Sequence, residues 1–464
     1  MIAISKLAKL LLLVFACLHL TFSVCFALKT PYRQVGYLFC QKDPKTRFFQ
    51  QASDIGAPDE RQHANYVRHL MKDHTLPIFI PNSPEIGEEY QSHQPPLYYL
   101  GASLIATVTG QTDVESQSFG KEIRLLNCII GVSGVIGVFF AAFWSSKRED
   151  VAIIATSFAA ILPMNCALSG AISNDPLLIS FVAWSFAFCA RSYQAETDLE
   201  TKKYLIRAAA LTGLACITKS SGLVALIGLF STALFMKSRV PMKVLFQAMI
   251  IAIVIALPVW LRNQVYYGDP LAQKAFKEAF GGSAQKSGII LEIEQSGAPG
   301  SPEVNYWINW FGYWTARSFI GAFGYLDIWM NSSGRANRST DPNTLYKVLI
   351  AFIAMAKLSF LFVLRKNWKG TEKPVLVGVI ISIVTAMLLI AFNMTYFQAQ
   401  GRYLMPALAP LSLMFAIGWL NLFKSKLMPV LITVTILFGG TTIYALTQLE
   451  PEFSARISGT VSPR

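Results

Sequence analysis

The chain has 464 residues, enough for several soluble domains, but 53% of them are apolar and only 14% charged. Soluble globular domains carry roughly a quarter charged residues, so the composition excludes a soluble assembly and indicates an all-α, polytopic membrane protein. The formal net charge of +13 sits in short basic loops between apolar runs, as membrane topology signals do; contact with anionic lipid headgroups is its second reading, and nucleic acid is excluded as a partner.

Helices that are apolar all round show no periodicity, so run length and loop charge place them. Runs over 8–28, 122–144, 151–169, 176–191, 205–218, 221–236, 244–261, 342–364, 374–392, 403–422 and 428–447 predict about eleven transmembrane helices. The first run follows Lys6 and Lys9, is longer than a signal-peptide core and has no small-x-small exit, so it reads as a retained span. Leu97 to Gly110 is apolar but covers only about fourteen residues, which predicts an interfacial helix rather than a crossing.

Loop charge supports that assignment. With a cytoplasmic N-terminus and no crossing at 97–110, the basic loops at Lys147-Arg148, Arg191 to Arg207, Lys237 to Lys243, Arg365 to Lys373 and Lys424 to Lys426 all fall inside. A crossing at 97–110 would invert every later loop against the positive-inside rule. Residues 1–447 then form one transmembrane domain with outer regions at 29–121 and 262–344, and 448–464 form a short, poorly ordered tail. The second outer region is rich in Gly and Ser from Phe280 to Pro302, predicting mobility. From Tyr306 to Trp329 it is dense in aromatics, predicting a membrane-interface segment. At mid-depth Lys357 is the exceptional charge, expected to snorkel towards Arg365. Of the seven cysteines, only Cys40 falls outside an apolar run, leaving no disulfide pair and no Cys-x-x-Cys metal motif.

The polar stretch 58–99 opens with Pro58-Asp59-Glu60-Arg61-Gln62-His63 and closes with His93-Gln94-Pro95-Pro96-Leu97-Tyr98-Tyr99. Ala64, Val67, Leu70 and Met71 recur at helical steps, predicting an amphipathic helix over 59–73 lying on the membrane. Asp59 reads either as its N-cap, with Glu60 a first-turn acid, or as a carboxylate base held above the bilayer. Asp59 and His63 at i, i+4 with a distant His93 offer a candidate divalent-metal site; ordinary hydrogen bonding of the two histidines is the alternative. Asn174-Asp175-Pro176 reads as a helix start, with Asn174 the cap and Asp175 the freer acid. Arg124, Lys219 and Arg402 come from three further segments on the same predicted face. Each reads either as a snorkelling cation or as a phosphate ligand, a task the arginine fork suits. Together, a carboxylate base and phosphate-binding cations suit displacement of a lipid phosphate.

Pro-Asp-Glu-x-x-His at 58–63, His-Gln-Pro-Pro-Leu-Tyr-Tyr at 93–99, Asn-Asp-x-Leu-Leu at 174–178, Thr-Lys-x-x-Gly at 218–222 and Gln-Gly-Arg-Tyr-x-x-Pro at 400–406 are, as an ordered set, similar to the GT-C glycosyltransferase superfamily. The chain resembles a bacterial branch related to the protein O-mannosyltransferases and the lipid A aminoarabinose transferase. The resemblance implies inverting transfer of a sugar from a polyprenyl-phosphate carrier to a lipid, glycan or protein acceptor, at the outer face of the bacterial inner membrane. It maps the first-loop acid onto Asp59 with Glu60 beside it, and the second acid onto Asp175. Donor and phosphate contacts fall on Arg124, Lys219, Arg402 and Tyr403, with His63, His93, Gln94 and Asn174 as further site residues. Gln94 stands where the aminoarabinose transferases have Lys, so a phosphate contact there is lost or replaced. The competing classes are a lipid or solute transporter and a non-catalytic component of envelope polysaccharide assembly. A transporter usually concentrates its polar groups near the bilayer midplane, whereas here they gather at one end.

Overall fold

The computed structural model describes residues 4–41, 47–281, 285–330, 344–367, 370 and 372–460. It is helical apart from isolated bridges and one hairpin in the first outer region, where Gly36–Gln41 pairs antiparallel with Arg47–Ala52, Gly36 opposite Ala52. Among the described residues, seven helices are long and apolar enough to cross a membrane: Lys6–Lys29, Gln117–Ser146, Met242–Tyr267, Thr344–Lys366, Lys373–Asn393, Gly401–Leu422 and Leu427–Ser458. The pair Glu149–Ile161 and Pro163–Ser169, bent by 62°, makes an eighth if it is one span.

Helix length and composition therefore confirm seven or eight of the expected eleven. The remaining three segments are helical but fall short. Asp175–Ser192 carries Asp175 and Arg191 in only 18 residues, Asp198–Cys216 opens on a charged turn, and Leu223–Met236 has 14 residues. Leu97–Thr109 is a short apolar helix of 13 residues.

The bent pair shows how a broken helix is kept satisfied where water is scarce. Pro163 supplies no N–H, so carbonyls before the break need other donors. Asn165 Nδ2 donates to the Ala159 carbonyl at 2.9 Å, His19 Nδ1 to that of Ala160 at 2.9 Å, and the Thr442 hydroxyl to that of Ile161 at 2.7 Å. Three distant parts of the chain thereby meet at one kink. Phe158 stacks on Phe415 at 4.2 Å beside it.

Thr344–Lys366 and Leu408–Leu422 meet unusually closely because Gly418 has no side chain. A Cβ there would lie 1.9 Å from the Ala356 carbonyl oxygen. The Ser359 hydroxyl donates to the Gly418 carbonyl at 2.9 Å, and Lys357 Nζ to that of Leu411 at 2.5 Å. Lys357 thus reaches across to the neighbouring helix instead of snorkelling towards Arg365.

Two other expectations, for the first-loop helix and for the tail, are corrected. The helix Glu60–Asp73 buries Ala64, Val67 and Leu70 with Tyr98, Tyr99, Ala102 and Ala106 of Leu97–Thr109, so its apolar face packs on protein rather than lying free on the bilayer. The predicted tail is helical to Ser458, and its buried Arg456 pairs with Asp327 at 2.5 Å. The Gly- and Ser-rich stretch contains the helix Lys286–Gln295, with 282–284 outside the described residues. In the aromatic stretch, Trp314 and Trp329 are buried, with the Arg317 guanidinium centre 4.3 Å from the Trp329 ring.

At one end of the bundle, Ser5 bonds Glu149, Lys147 pairs with Glu372 and Arg148 bonds Ser425. At the other, Lys29 pairs with Glu450 and the 58–99 stretch meets the segment around Arg402. Gly418→Ala is expected to push two helices apart and to destabilise the protein by about 1–3 kcal/mol. Thermal unfolding in detergent measures this, and an unchanged midpoint would contradict the contact.

Candidate active site

An open cavity of about 940 Å³, counting the solvent at its mouth, is lined by Asp59, His63, Tyr90, Gln91, His93 and Gln94 of the first outer region. Lys219, Phe276, Phe280, Phe392, Tyr396, Gln398, Gln400, Arg402 and Tyr403 complete the lining. Residues far apart in sequence therefore share one wall.

Asp59 precedes the first residue of the helix Glu60–Asp73 but does not cap it. Its backbone is left-handed, with φ 65°, and its side chain makes no capping bond. Aspartate tolerates this region better than most residues, and the turn directs the carboxylate into the cavity. There Oδ1 accepts the Tyr90 hydroxyl, and Oδ2 accepts Arg402 Nη2 at 2.6 Å. Burial by itself pushes the Asp59 carboxyl up, but the Arg402 guanidinium and the Tyr90 hydroxyl outweigh it and hold it at about 2.

Arg402 is placed by its neighbours. Gly401 packs so closely on Phe319 that a Cβ would lie 2.1 Å from the Phe319 nitrogen, and its own N–H donates to Ser318 Oγ at 2.7 Å. Arg402 Nε donates to Gln400 Oε1 at 2.6 Å, and Gln400 Nε2 to Gln398 Oε1 at 2.8 Å. Tyr403 lies beneath the guanidinium, 5.5 Å from ring centre to Cζ, and packs against Phe392.

Lys219 follows the helix Asp198–Cys216 and donates to Asp175 Oδ1 at 2.5 Å. Asp175, at the start of Asp175–Ser192, stands behind Lys219 and does not line the cavity; it positions the lysine. Asn174 is a clasp rather than a ligand. Its Nδ2 reaches Gln94 Oε1, the Tyr99 hydroxyl and the Thr218 carbonyl at 3.2–3.4 Å.

Like Asn174 and Asp175, the expected site residues Glu60 and Arg124 do not line the cavity. Glu60 is fully buried and takes Arg124 Nε and Nη2 at 2.7 and 2.5 Å, while its Oε1 also accepts the Ile172 N–H at 2.7 Å. Arg124 donates further to the carbonyls of Ala27, Thr30 and Pro31. With its donors spent on these oxygens, Arg124 holds the outer loop to the spans and has no fork left for phosphate.

The histidines line the cavity without forming a metal site. His63 Nδ1 meets the Tyr99 hydroxyl at 2.8 Å. His93 donates from Nδ1 to the Tyr90 carbonyl and accepts Gln94 Nε2 at 2.9 Å, so neither ring nitrogen is open. Burial pushes His63 down to about 3 and His93 to about 4, keeping both neutral near pH 7. Among the described residues, no three His, Cys, Asp or Glu side chains gather as metal ligands, so the residues present do not fit the expected divalent cation.

Sequence reading missed Tyr90, Gln91, Gln398 and the aromatic lining from Phe276 to Tyr396. Nothing in their spacing signals a site; only the chain's return to the cavity does.

Glu60→Gln leaves Arg124 charged and buried, and is expected to cost about 3–5 kcal/mol. Asp59→Asn is expected to cost far less, since the cavity admits water to Arg402. Because Asp59 lies below the ordinary carboxylate value of 3.8, the stability it contributes is complete above about pH 4 and lost as pH falls towards 2. Unfolding midpoints of wild type and Asp59→Asn should converge across that window; convergence already at neutral pH would contradict the pairing.

Residues 95–269 match the family model for dolichyl-phosphate-mannose-protein mannosyltransferase. No curated protein matches the chain by sequence. Among solved structures, the oligosaccharyltransferase of Archaeoglobus fulgidus, in complex with Zn and sulfate, aligns at 13% identity with a TM-score of 0.56, over 94% of this chain and 53% of that one. The same organism's AglB, with an inhibitory peptide and a dolichol-phosphate, aligns at 12% identity and TM-score 0.55, over 96% and 56%. ArnT of Cupriavidus metallidurans in the apo state aligns at 12% identity and TM-score 0.53, over 98% and 77%. The chain thus spans just over half the length of the archaeal structures and three quarters of ArnT. The chain thus shares the fold of these membrane proteins, and its residues 95–269 are similar to the mannosyltransferase family.

Proposed function

We propose that this protein transfers a sugar from a polyprenyl-phosphate carrier to an acceptor hydroxyl or amine, with inversion, using Asp59 as general base. The observation that carries this reading is the contact between Asp59 and Arg402 on the cavity wall, with Lys219 on the same lining. The donor's phosphate takes the Arg402 fork, for which it competes with Asp59, and Lys219 adds a second positive charge. Burial then acts on a carboxylate deprived of its cation and raises its proton affinity, so donor binding turns a weak base into an effective one.

In the transfer step the acceptor's heteroatom attacks the anomeric carbon from the face opposite the phosphate, and its proton passes to an Asp59 carboxylate oxygen. The bond from the anomeric carbon to the phosphate oxygen breaks, and its electron pair leaves with the polyprenyl phosphate. Arg402 and Lys219 stabilise that anion.

The proposed setting is the outer face of a bacterial inner membrane, with the N-terminus cytoplasmic. Support comes from the two ends of the bundle: Ser5, Lys147, Arg148, Glu149, Glu372 and Ser425 gather away from the cavity, and these are loops the charge rule assigns inside. Membrane lipids surround the spans and deliver the carrier laterally.

The test is label transfer from a radiolabelled undecaprenyl-phosphate sugar in membranes carrying the full chain. Asp59→Asn is expected to lower transfer by about 100- to 10,000-fold while the protein still inserts and unfolds cooperatively. Full activity of that variant would overturn the assignment of the base.

A further inference from the structure

The two oxygens of the Asp59 carboxylate have different donors. Oδ1 accepts the Tyr90 hydroxyl, and Oδ2 accepts Arg402 Nη2 at 2.6 Å. The two bonds differ in how readily a ligand displaces them. Arg402 is a cation on an open cavity wall, where an anion competes with Asp59 for it. Tyr90 has one proton, already directed at Asp59, and the fold fixes its place. It opens the short helix Tyr90–His93, its carbonyl accepts His93 Nδ1, and its ring stands edge-on to Phe280 with 6.0 Å between centres. Burial and the Asp59 charge push the Tyr90 hydroxyl well above its ordinary value, so it remains a donor at every working pH.

We propose that Tyr90 is the positioning residue of the base, a role that rests on the transfer reaction proposed above. It ties down Oδ1, so that Oδ2 takes the acceptor's proton once the donor's phosphate has drawn Arg402 away. A carboxylate stripped of both donors in so buried a place would take up a proton itself and cease to be a base. The Tyr90 bond favours the ionised form and keeps Asp59 charged until the acceptor arrives. It also restrains rotation of the carboxylate, leaving Oδ2 turned towards the place that Arg402 has left. In the step, the acceptor's O–H or N–H bond breaks and its proton bonds to Oδ2. The released electron pair forms the bond to the anomeric carbon, and the phosphate departs with the pair of the bond that breaks. Tyr90 keeps its own proton throughout. The other titratable groups facing Asp59 are Arg402, His63 and Tyr325. Burial holds the Tyr325 proton in place.

Tyr90→Phe keeps the ring and removes only the hydroxyl, and two measurements on the full-length protein read the effect. In the first, with no carrier present, unfolding midpoints in detergent are followed into acid for Tyr90→Phe and for Tyr90→Phe/Asp59→Asn. His63, pushed down to about 3, titrates in the same window, so each comparison is made between chains that differ only at Asp59. Asp59 contributes stability that is lost as pH falls through its folded value, and without Tyr90 that value is higher. The two curves are therefore expected to converge about one pH unit above the point where wild type and Asp59→Asn converge. In the second, transfer from the radiolabelled undecaprenyl-phosphate sugar is followed against pH. The acid limb of Tyr90→Phe is expected about one unit above that of wild type, with a plateau about ten- to hundredfold lower. A ring that only fills space moves neither pH value. An unmoved point of convergence, or an acid limb that coincides with wild type, overturns the role of Tyr90 and leaves the lipid-phosphate reading standing. Absence of transfer by wild type overturns that reading instead, and the first measurement still decides whether Tyr90 holds Asp59.

Discussion

The buried ion pair between Glu60 and Arg124 is the constraint on which the site depends. Arg124 projects from the cavity-side end of a long span and donates to the last carbonyls of the first helix as well as to Glu60. The start of the helix Glu60–Asp73 is thereby pinned to two spans and, through the Ile172 N–H, to a third segment. The preceding residue, held in a left-handed turn, has its side chain sent the other way, into the cavity. Two adjacent acids thus face opposite ways: Glu60 is spent on architecture and Asp59 faces the cavity. Such a pair adds little net stability over an apolar contact, but removing one partner is expensive, so it fixes geometry more than it adds free energy.

The same division recurs on the far side of the cavity. Asp175 holds Lys219 by its ammonium, and Asn174 beside it ties the first outer loop to the Thr218 turn. Asp175 positions the lysine, and Asn174 locks the backbone. Under the proposed function, a phosphate arriving between Arg402 and Lys219 would meet cations already oriented, one by Asp59 and Gln400, the other by Asp175.

Much of this was legible in the chain. Run length and loop charge gave the helical membrane class, and Asp59, His63, His93, Gln94, Lys219, Arg402 and Tyr403 do meet in one cavity because each closes a polar interruption at the same end of the bundle. Local pattern could not distinguish Glu60 from Asp59, since which acid turns inward is decided by Arg124, 64 positions away. The count of spans is left unconfirmed by helices such as Leu223–Met236, whose 14 residues are fewer than a lone crossing needs. Lys357 was misread because its acceptor, the Leu411 carbonyl, belongs to a helix far along the sequence. The tail was misread because Arg456 finds Asp327, which nothing near residue 456 announces. In each case a tertiary partner overrode the local signal.

The account turns on competition between Asp59 and the lipid phosphate for Arg402. Titration of bare undecaprenyl phosphate into wild type and Asp59→Asn tests this most directly. If the carboxylate and the phosphate share one guanidinium, the variant binds the carrier more tightly than wild type while losing transfer. Weaker or unchanged binding in Asp59→Asn would contradict it.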